Sequence, residues 1–311
     1  MRITTSMVQR NVLADLNNLS EKLSRTQGKA SSGKEISRPS DNPFGAAKAI
    51  GLRQAIDAND QYVRNIEDAQ GWQDATESAL DAITSYVGRA RDLLTRAATD
   101  TADDTSRLAI ASEIDQIIQG VKESANATYE DKHLMSGTLT AAAPYQLGAN
   151  DSYQGNNAGV PGSATPLGIL REVGPSVTMS INTVADEILG GGLTAPGVGD
   201  GKLLHALRNL SQHLKDNDGS ALRTSDMPAL KAQLDTLLEV RARNGSQTNR
   251  LEAANTRLSQ IQEAVNKTLS KTEDADIAKT IIQFNSQSAA YQASLRAGAN
   301  IVQVSLMDFL R

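Results

Sequence analysis

The chain has 311 residues, enough for two or three domains, but only 3% of them are aromatic. So few bulky rings disfavour a large globular core, and helical bundles with small apolar seams suit the composition better than a sandwich or an α/β enzyme core. The formal charge of −5 argues against nucleic acid as the main partner, and the absence of Cys removes disulfides, thiolate catalysis and Cys-ligated metals. No apolar run reaches the ~18 residues of a membrane-spanning helix. Met1–Ser6 leads into polar residues with no apolar core region, so no cleaved signal peptide is expected.

Residues 1–38 lack proline and place Val8, Val12, Leu16, Leu19, Leu23, Thr26 and Ala30 four and three apart, a coiled-coil seam. This segment is basic, residues 1–40 holding seven Lys or Arg against three acids, which reads as a solvated helix face. The helix is expected to stop near Gly28 or Gly33, before the breakers Ser31-Ser32-Gly33 and Arg38-Pro39-Ser40-Asp41-Asn42-Pro43. Asp41 or Asn42 then caps a new helix with Pro43 in its first turn.

From Phe44 to about Ala98 a proline-free run carries Gln73, Thr76, Leu80, Ile83, Val87, Ala90, Leu94 and Ala97 on one face, with Val63 and Ile66 upstream. At about 1.5 Å per residue this is the length of a rod. Caps cluster at Thr99–Thr105, and a further helix with Ile110, Ile114, Ile117, Val121 and Ala125 inward is expected to reach about Leu134, closed by Gly137.

Residues 138–201 differ in kind. They hold twelve of the 23 glycines and five of the eight prolines but only six charges. Val177, Met179 and Ile181 alternate with polar residues, the period of a half-buried strand, and Tyr145–Leu147 and Ile169–Leu170 are weaker strand candidates. Helix returns with Leu203, Leu204, Leu207, Leu210 and Leu214, stops at Asp216–Gly219, and resumes at Pro228 through Leu230, Leu234, Leu237, Leu251, Leu258, Ile261 and Val265. Arg241–Arg250 is a polar interruption. Ser270-Lys271-Thr272-Glu273 has capping-box spacing where the heptad register jumps, which predicts a new helix start. Beyond it Ile277, Ile281, Phe284, Ser288, Tyr291, Leu295, Gly298, Val302, Ser305 and Phe309 form a second terminal seam.

The fold class this order implies is mainly α: a long antiparallel coiled-coil or helical-bundle hairpin, with a small β-rich domain inserted at the tip. The expected parts are 1–40 and 271–311 as one terminal coiled-coil domain, 41–137 and 202–270 as a helical rod, and 138–201 as the insertion. Catalysis finds no support. Ser31-Ser32-Gly33-Lys34 and Ser40-Asp41-Asn42 imitate S-x-x-K and S-D-N, but they sit six residues apart in one loop and no K-T-G follows. His133, His205 and His213 are isolated, with no H-E-x-x-H, so no metal, cofactor or catalytic residues are assigned. Glu273, Asp274 and Asp276 are explained as acids favouring a helix N-terminus.

Several stretches are familiar together: Met1-Arg2-Ile3-Thr4-Thr5-Ser6-Met7, Ser31-Ser32-Gly33-Lys34, Pro39-Ser40-Asp41-Asn42-Pro43, Tyr62-Val63-Arg64-Asn65-Ile66, Gly245 with Asn249-Arg250-Leu251, Glu273-Asp274-Ala275-Asp276, and Phe309-Leu310-Arg311. In this order they resemble the bacterial flagellin family over about 1–137 and 202–311. The opening and the two-proline loop are more similar to its hook-filament junction members than to filament flagellins, which usually carry a Leu-Arg-Ile-Asn-Ser-like loop where this chain has Lys34-Glu35-Ile36-Ser37-Arg38. The resemblance implies terminal helices paired in an inner tube, long helices outside them and the insertion outermost. It also implies passage, unfolded, through the flagellar type III export channel to an extracellular place at the hook-filament junction. The partners it implies are copies of the chain itself, the neighbouring hook-associated junction protein, flagellin filament subunits and a flagellar export chaperone, with no nucleic acid and no membrane.

On this reading the chain is a structural adaptor, and its assembly seam is Val12, Leu16, Leu19 and Leu23 with Ile281, Phe284, Tyr291, Leu295, Val302 and Phe309. A minor filament flagellin and a cytosolic coiled-coil binding module remain as alternatives.

Overall fold

The computed structural model describes residues 5–99, 103–148, 150–160, 168–195 and 198–309. The chain is mainly α, with a small β region of three two-stranded antiparallel sheets among the described residues. Contacts divide it into two units, Met1–Ala58 with Gln260–Arg311, and Asn59–Ser259.

The first unit holds α1 (Thr5–Ser32), the beginning of α2 (Pro43–Ala97), the end of α7 (Met227–Glu273) and α8 (Ile277–Phe309). Helix α1 stops where Gly33 adopts φ +70°, a left-handed position that costs glycine nothing and that ends many helices. The loop then turns on Asp41, whose carboxylate accepts the Arg38 N–H at 2.9 Å. Asn42 caps α2 by accepting the Gly45 N–H at 3.0 Å, and Pro43, which lacks an N–H, occupies the first helical position at no loss. At the other end, α8 is capped by Asp276, which accepts the Lys279 N–H at 3.0 Å. Ser270–Glu273 is therefore the last turn of α7 and not the start of a helix. The capping-box spacing is there, but the cap lies three residues beyond it.

The second unit has one apolar core. The stripe Gln73, Thr76, Leu80, Ile83, Val87, Ala90, Leu94 and Ala97 of α2 is buried throughout. It packs with Ile114 and Ile118 of α3 (Asp104–Ala125), Leu207 and Leu210 of α5 (Leu203–Lys215), and Leu237 and Leu251 of α7. Asp103 caps α3 through the Ser106 N–H. That helix ends at Ala125, short of the expected Leu134. Asn126 leaves it to exchange two hydrogen bonds with the Tyr145 backbone, 2.8 and 2.9 Å. The following residues form a hairpin, β1 (Thr128–Tyr129) and β2 (Lys132–His133), turning on Glu130 and Asp131 at positive φ.

Within 138–201, β3 (Leu170–Gly174) pairs with β4 (Val177–Ser180), then come the single turn α4 (Ala185–Ile188) and the pair β5 (Leu193–Ala195) and β6 (Val198–Gly199). Tyr145–Leu147 forms no strand. Its Tyr145 instead joins the core and donates to Gly190 O at 2.8 Å. The irregular segment after Tyr145 is held by Lys122, wholly buried, whose ammonium donates to Gly148 O, Asn150 O and Asp151 Oδ1 at 2.8 to 2.9 Å. Arg208 grips both oxygens of the same Asp151, and these hydrogen bonds keep its carboxyl below the usual range although burial pushes the other way.

After the short α6 (Gly219–Ala221) the chain makes a π-turn, Leu222–Asp226, before α7 begins. Pro228 gives a reason. It cannot donate to the carbonyl four residues back and its ring crowds that carbonyl, and Met227 N–H instead reaches back five residues to Leu222 O. The polar stretch Arg241–Arg250 stays helical because its side chains have partners: Arg241 donates to Glu77, and Arg243 to Glu187 of α4 at 2.8 Å.

Candidate assembly surface

Helices α1 and α8 pack antiparallel. Space beside Gly298 is filled by Val12, whose Cγ1 would lie 3.2 Å from an added Cβ, and by Leu16 at 3.8 Å. Further along, the Thr26 hydroxyl donates to Gln287 Oε1 at 2.7 Å, and beyond the helix ends Lys34 bridges to Asp274. On α1 the inward face is Val12, Leu16, Leu19 and Leu23, all half-buried, with Thr26 buried. On α8 it is Thr280, Phe284, Gln287, Tyr291, Ser294 and Gly298, again four and three apart.

This register differs by one position from the one expected on α8. Phe284, Tyr291 and Gly298 are common to both, and the expected Ser288 is half-buried as well. The second row of the intrachain seam is Thr280, Gln287 and Ser294, whereas Ile281 and Leu295 lie on the adjoining flank, 48% and 45% exposed. Ile277 and Ile282 are also exposed on α8, as are Met7 and Leu13 on α1. The side chains of Val8, Val302 and Phe309 lie outside the described residues. Hydrophobicity alone picks Ile281 and Leu295 over Thr280 and Gln287. The Thr26–Gln287 hydrogen bond and the close approach at Gly298 are what favour the polar row, and only their seven-residue spacing hinted at it.

The same unit contains a residue whose role spacing had not revealed. Glu273, with a 5% exposed side chain, receives Lys34 at 2.5 Å and also Arg53. The hydrogen bond from Lys34, joined by Arg53, holds its carboxyl below the usual glutamate range against the opposing effect of burial. The backbone adds two bonds, Glu35 N–H to Glu273 O at 2.7 Å and Ala275 N–H to Gly33 O at 2.9 Å. The cations attracted by the acidic run 273–276 are thus the chain's own, and among the described residues no His or acidic group of three could hold a metal. Beside this ion pair is a cleft of about 360 Å³ walled by Ile36, Pro39, Ala49 and Ile50, with Arg38 and Arg53 at its edge.

These paired terminal helices coincide with what comparison with known proteins finds. Residues 3–140 match the bacterial flagellin N-terminal helical region and residues 227–310 the bacterial flagellin C-terminal helical region, together more than two thirds of the chain. The chain belongs to the bacterial flagellin family. It is accordingly a structural protein of the flagellum and not an enzyme. Among its flagellin-family relatives, flagellar hook-associated protein 3 of Salmonella typhimurium is 25% identical over 100% of both chains, and the flagellin of Bacillus subtilis is 26% identical, again over 100% of both. The crystal structure of flagellar hook associated protein-3 from Legionella pneumophila superposes with TM-score 0.59 over 71% of this chain and 97% of that one, at 13% identity, a likeness of fold. The flagellin-family regions include both α1 and α8, whose seam residues therefore lie inside the matched segments.

Proposed function

We propose that this flagellin-family chain is the adaptor that joins the flagellar hook to the filament, and that its terminal helices build the assembly. The observation that carries the assembly reading is the two-sidedness of α8: its polar flank is used within the chain, while its apolar flank, Ile281 and Leu295, stays exposed. An exposed apolar stripe beside a half-buried seam is what a neighbouring helix covers. The proposed interface comprises Val12, Leu16, Leu19, Leu23, Ile281, Phe284, Tyr291, Leu295, Val302 and Phe309. Contacts repeated head to tail between copies give a ring or short helical layer, met on one side by the neighbouring hook-associated protein and on the other by flagellin subunits. In this reading 1–40 with 271–311 are the inner coiled coil, 41–137 with 202–270 the rod, and 138–201 the outer insertion. Export proceeds through the flagellar type III channel with an export chaperone.

The choice of junction over filament is supported by full-length similarity to flagellar hook-associated protein 3 and by the loop Lys34–Arg38. The equally long similarity to a flagellin favours a second reading, a minor filament subunit. Deleting the gene separates the two. Loss of a junction protein leaves hooks without filaments while intact flagellin appears in the medium, and a mutant with normal filaments overturns the junction assignment.

A further inference from the structure

Asn244 and Gly245 form the only Asn-Gly pair in the chain. Asn is a chemically labile residue, and most so before glycine, which has no Cβ to keep its backbone nitrogen from approaching the preceding side chain. In that approach the Gly245 nitrogen attacks Cγ of Asn244, the Cγ–Nδ2 bond breaks, and ammonia departs with the proton that the attacking nitrogen gives up. Water then opens the resulting succinimide at one of its two carbonyls, leaving an aspartyl or an isoaspartyl residue.

The fold withholds both participants. Gly245 lies deep inside α7, where a backbone N–H is engaged with the carbonyl four residues back and held away from its neighbour's side chain. Asn244 is 2% exposed and faces α2, its amide nitrogen 3.4 Å from Gln73 O and 3.3 Å from Glu77 Oε2.

The product would fit this place badly. The Asn244 side chain stands among acceptors, the Gln73 carbonyl and the Glu77 carboxylate, and its own Oδ1 meets no donor among the described residues. Arg241 is already committed to Glu77, to Asp81 and to the Thr84 hydroxyl. A carboxylate in place of the amide gives up the donor group and sets a second negative charge against Glu77 at a buried site. The isoaspartyl form adds a methylene to the backbone in mid-helix, which upsets the 3.6-residue turn.

We infer that Asn244 is a deamidation site opened only by unfolding of the second unit, and that its conversion bars the chain from refolding. The reaction is silent in the folded protein and runs as a clock in the unfolded chain. It depends on α2 and α7 alone and stands apart from the assembly reading.

The test incubates the full chain at mildly alkaline pH in native buffer and in denaturing urea, and follows the peptide containing 244–245 by mass spectrometry. Because the reaction needs the open form, the folded protein is expected to deamidate there on the order of a thousandfold more slowly. Urea-aged chain diluted back into buffer is expected to recover its helicity and Trp72 fluorescence only in the fraction that kept its amide. Gly245→Ala adds a Cβ that meets nothing within 4 Å, and is expected to fold while slowing the reaction in urea about tenfold. Asn244→Asp is expected to lower the urea midpoint, and the uncharged Asn244→Leu to keep most of it. Equal rates in buffer and urea, chain deamidated at 244 that refolds in full, or Asn244→Leu as destabilised as Asn244→Asp overturns the inference.

Discussion

The core of the second unit and the terminal helix pair are both helical, yet they are built on different terms. In the former, Leu80, Ile83, Leu94, Ile114 and Leu207 have lost all contact with solvent. In the latter, Val12, Leu16, Leu19, Leu23, Phe284 and Tyr291 are only half-covered, and full burial goes to Thr26, Thr280 and Gly298. Complete burial of a Leu or Phe is worth about 1.5–3 kcal/mol, so half-covered seam residues contribute roughly 1 kcal/mol each. Long helices owe their stability in water mainly to tertiary packing. The core therefore specifies one structure by itself, while α1 and α8 leave part of their apolar surface uncovered, the surface that the proposed assembly would use.

The largest test of this contrast is Leu80→Ala. It removes a fully buried side chain and is expected to cost about 2–5 kcal/mol, seen as a lower midpoint in denaturant unfolding followed by Trp72 fluorescence, Trp72 being part of the same core. A loss below that range would mean the second unit is as loosely packed as the terminal pair.

Next comes Glu273→Gln, which leaves Lys34 and Arg53 without their carboxylate. Both cations are about half exposed, so solvent screening limits the expected loss to about 1 kcal/mol. The sign in pH is set by the lowered carboxyl. Its stabilisation is fully present above the ordinary glutamate value of 4.5 and disappears as pH falls through the lower folded value. Wild type and variant should accordingly differ in urea midpoint at pH 7 and converge in acid. A constant difference at all pH values would remove Glu273 as the origin.

Leu295→Glu has the smallest effect on folding and the sharpest on assembly. At an exposed position the change in stability should stay within about 0.5 kcal/mol, and the melting of the second unit should not move. Incorporation into flagella should be lost. A variant that assembles normally would break the division between the self-sufficient core and the conditional pair.

Much of this was legible from local chemistry. Gly33, Asn42, Pro43 and Asp216–Gly219 are strong punctuation, and each marks an observed helix boundary. The buried stripe of α2 was readable residue by residue because its period is uninterrupted. What escaped was decided at a distance. Glu273 looked like the end of a capping box, but its partners Lys34 and Arg53 are more than two hundred residues away in sequence. The hairpin after α3 turns on Glu130 and Asp131 at positive φ, where Gly or Asn would have given a signal. The row Thr280, Gln287 and Ser294 carries no apolar signal, since an apolar scale ranks Ile281 and Leu295 above it, and the deciding contact, Thr26 with Gln287, is polar.

Lys122 leads to a different kind of conclusion. Its three ammonium hydrogens are all committed, two to the carbonyls of Gly148 and Asn150 and one to Asp151, so together with Gln119, which exchanges two hydrogen bonds with the Gly148 backbone, it moors a segment without regular structure to α3. The mooring asks for backbone oxygens and one carboxylate, and places no demand on the residues beyond Asp151. An apolar residue in place of Lys122 would strand those oxygens in the interior.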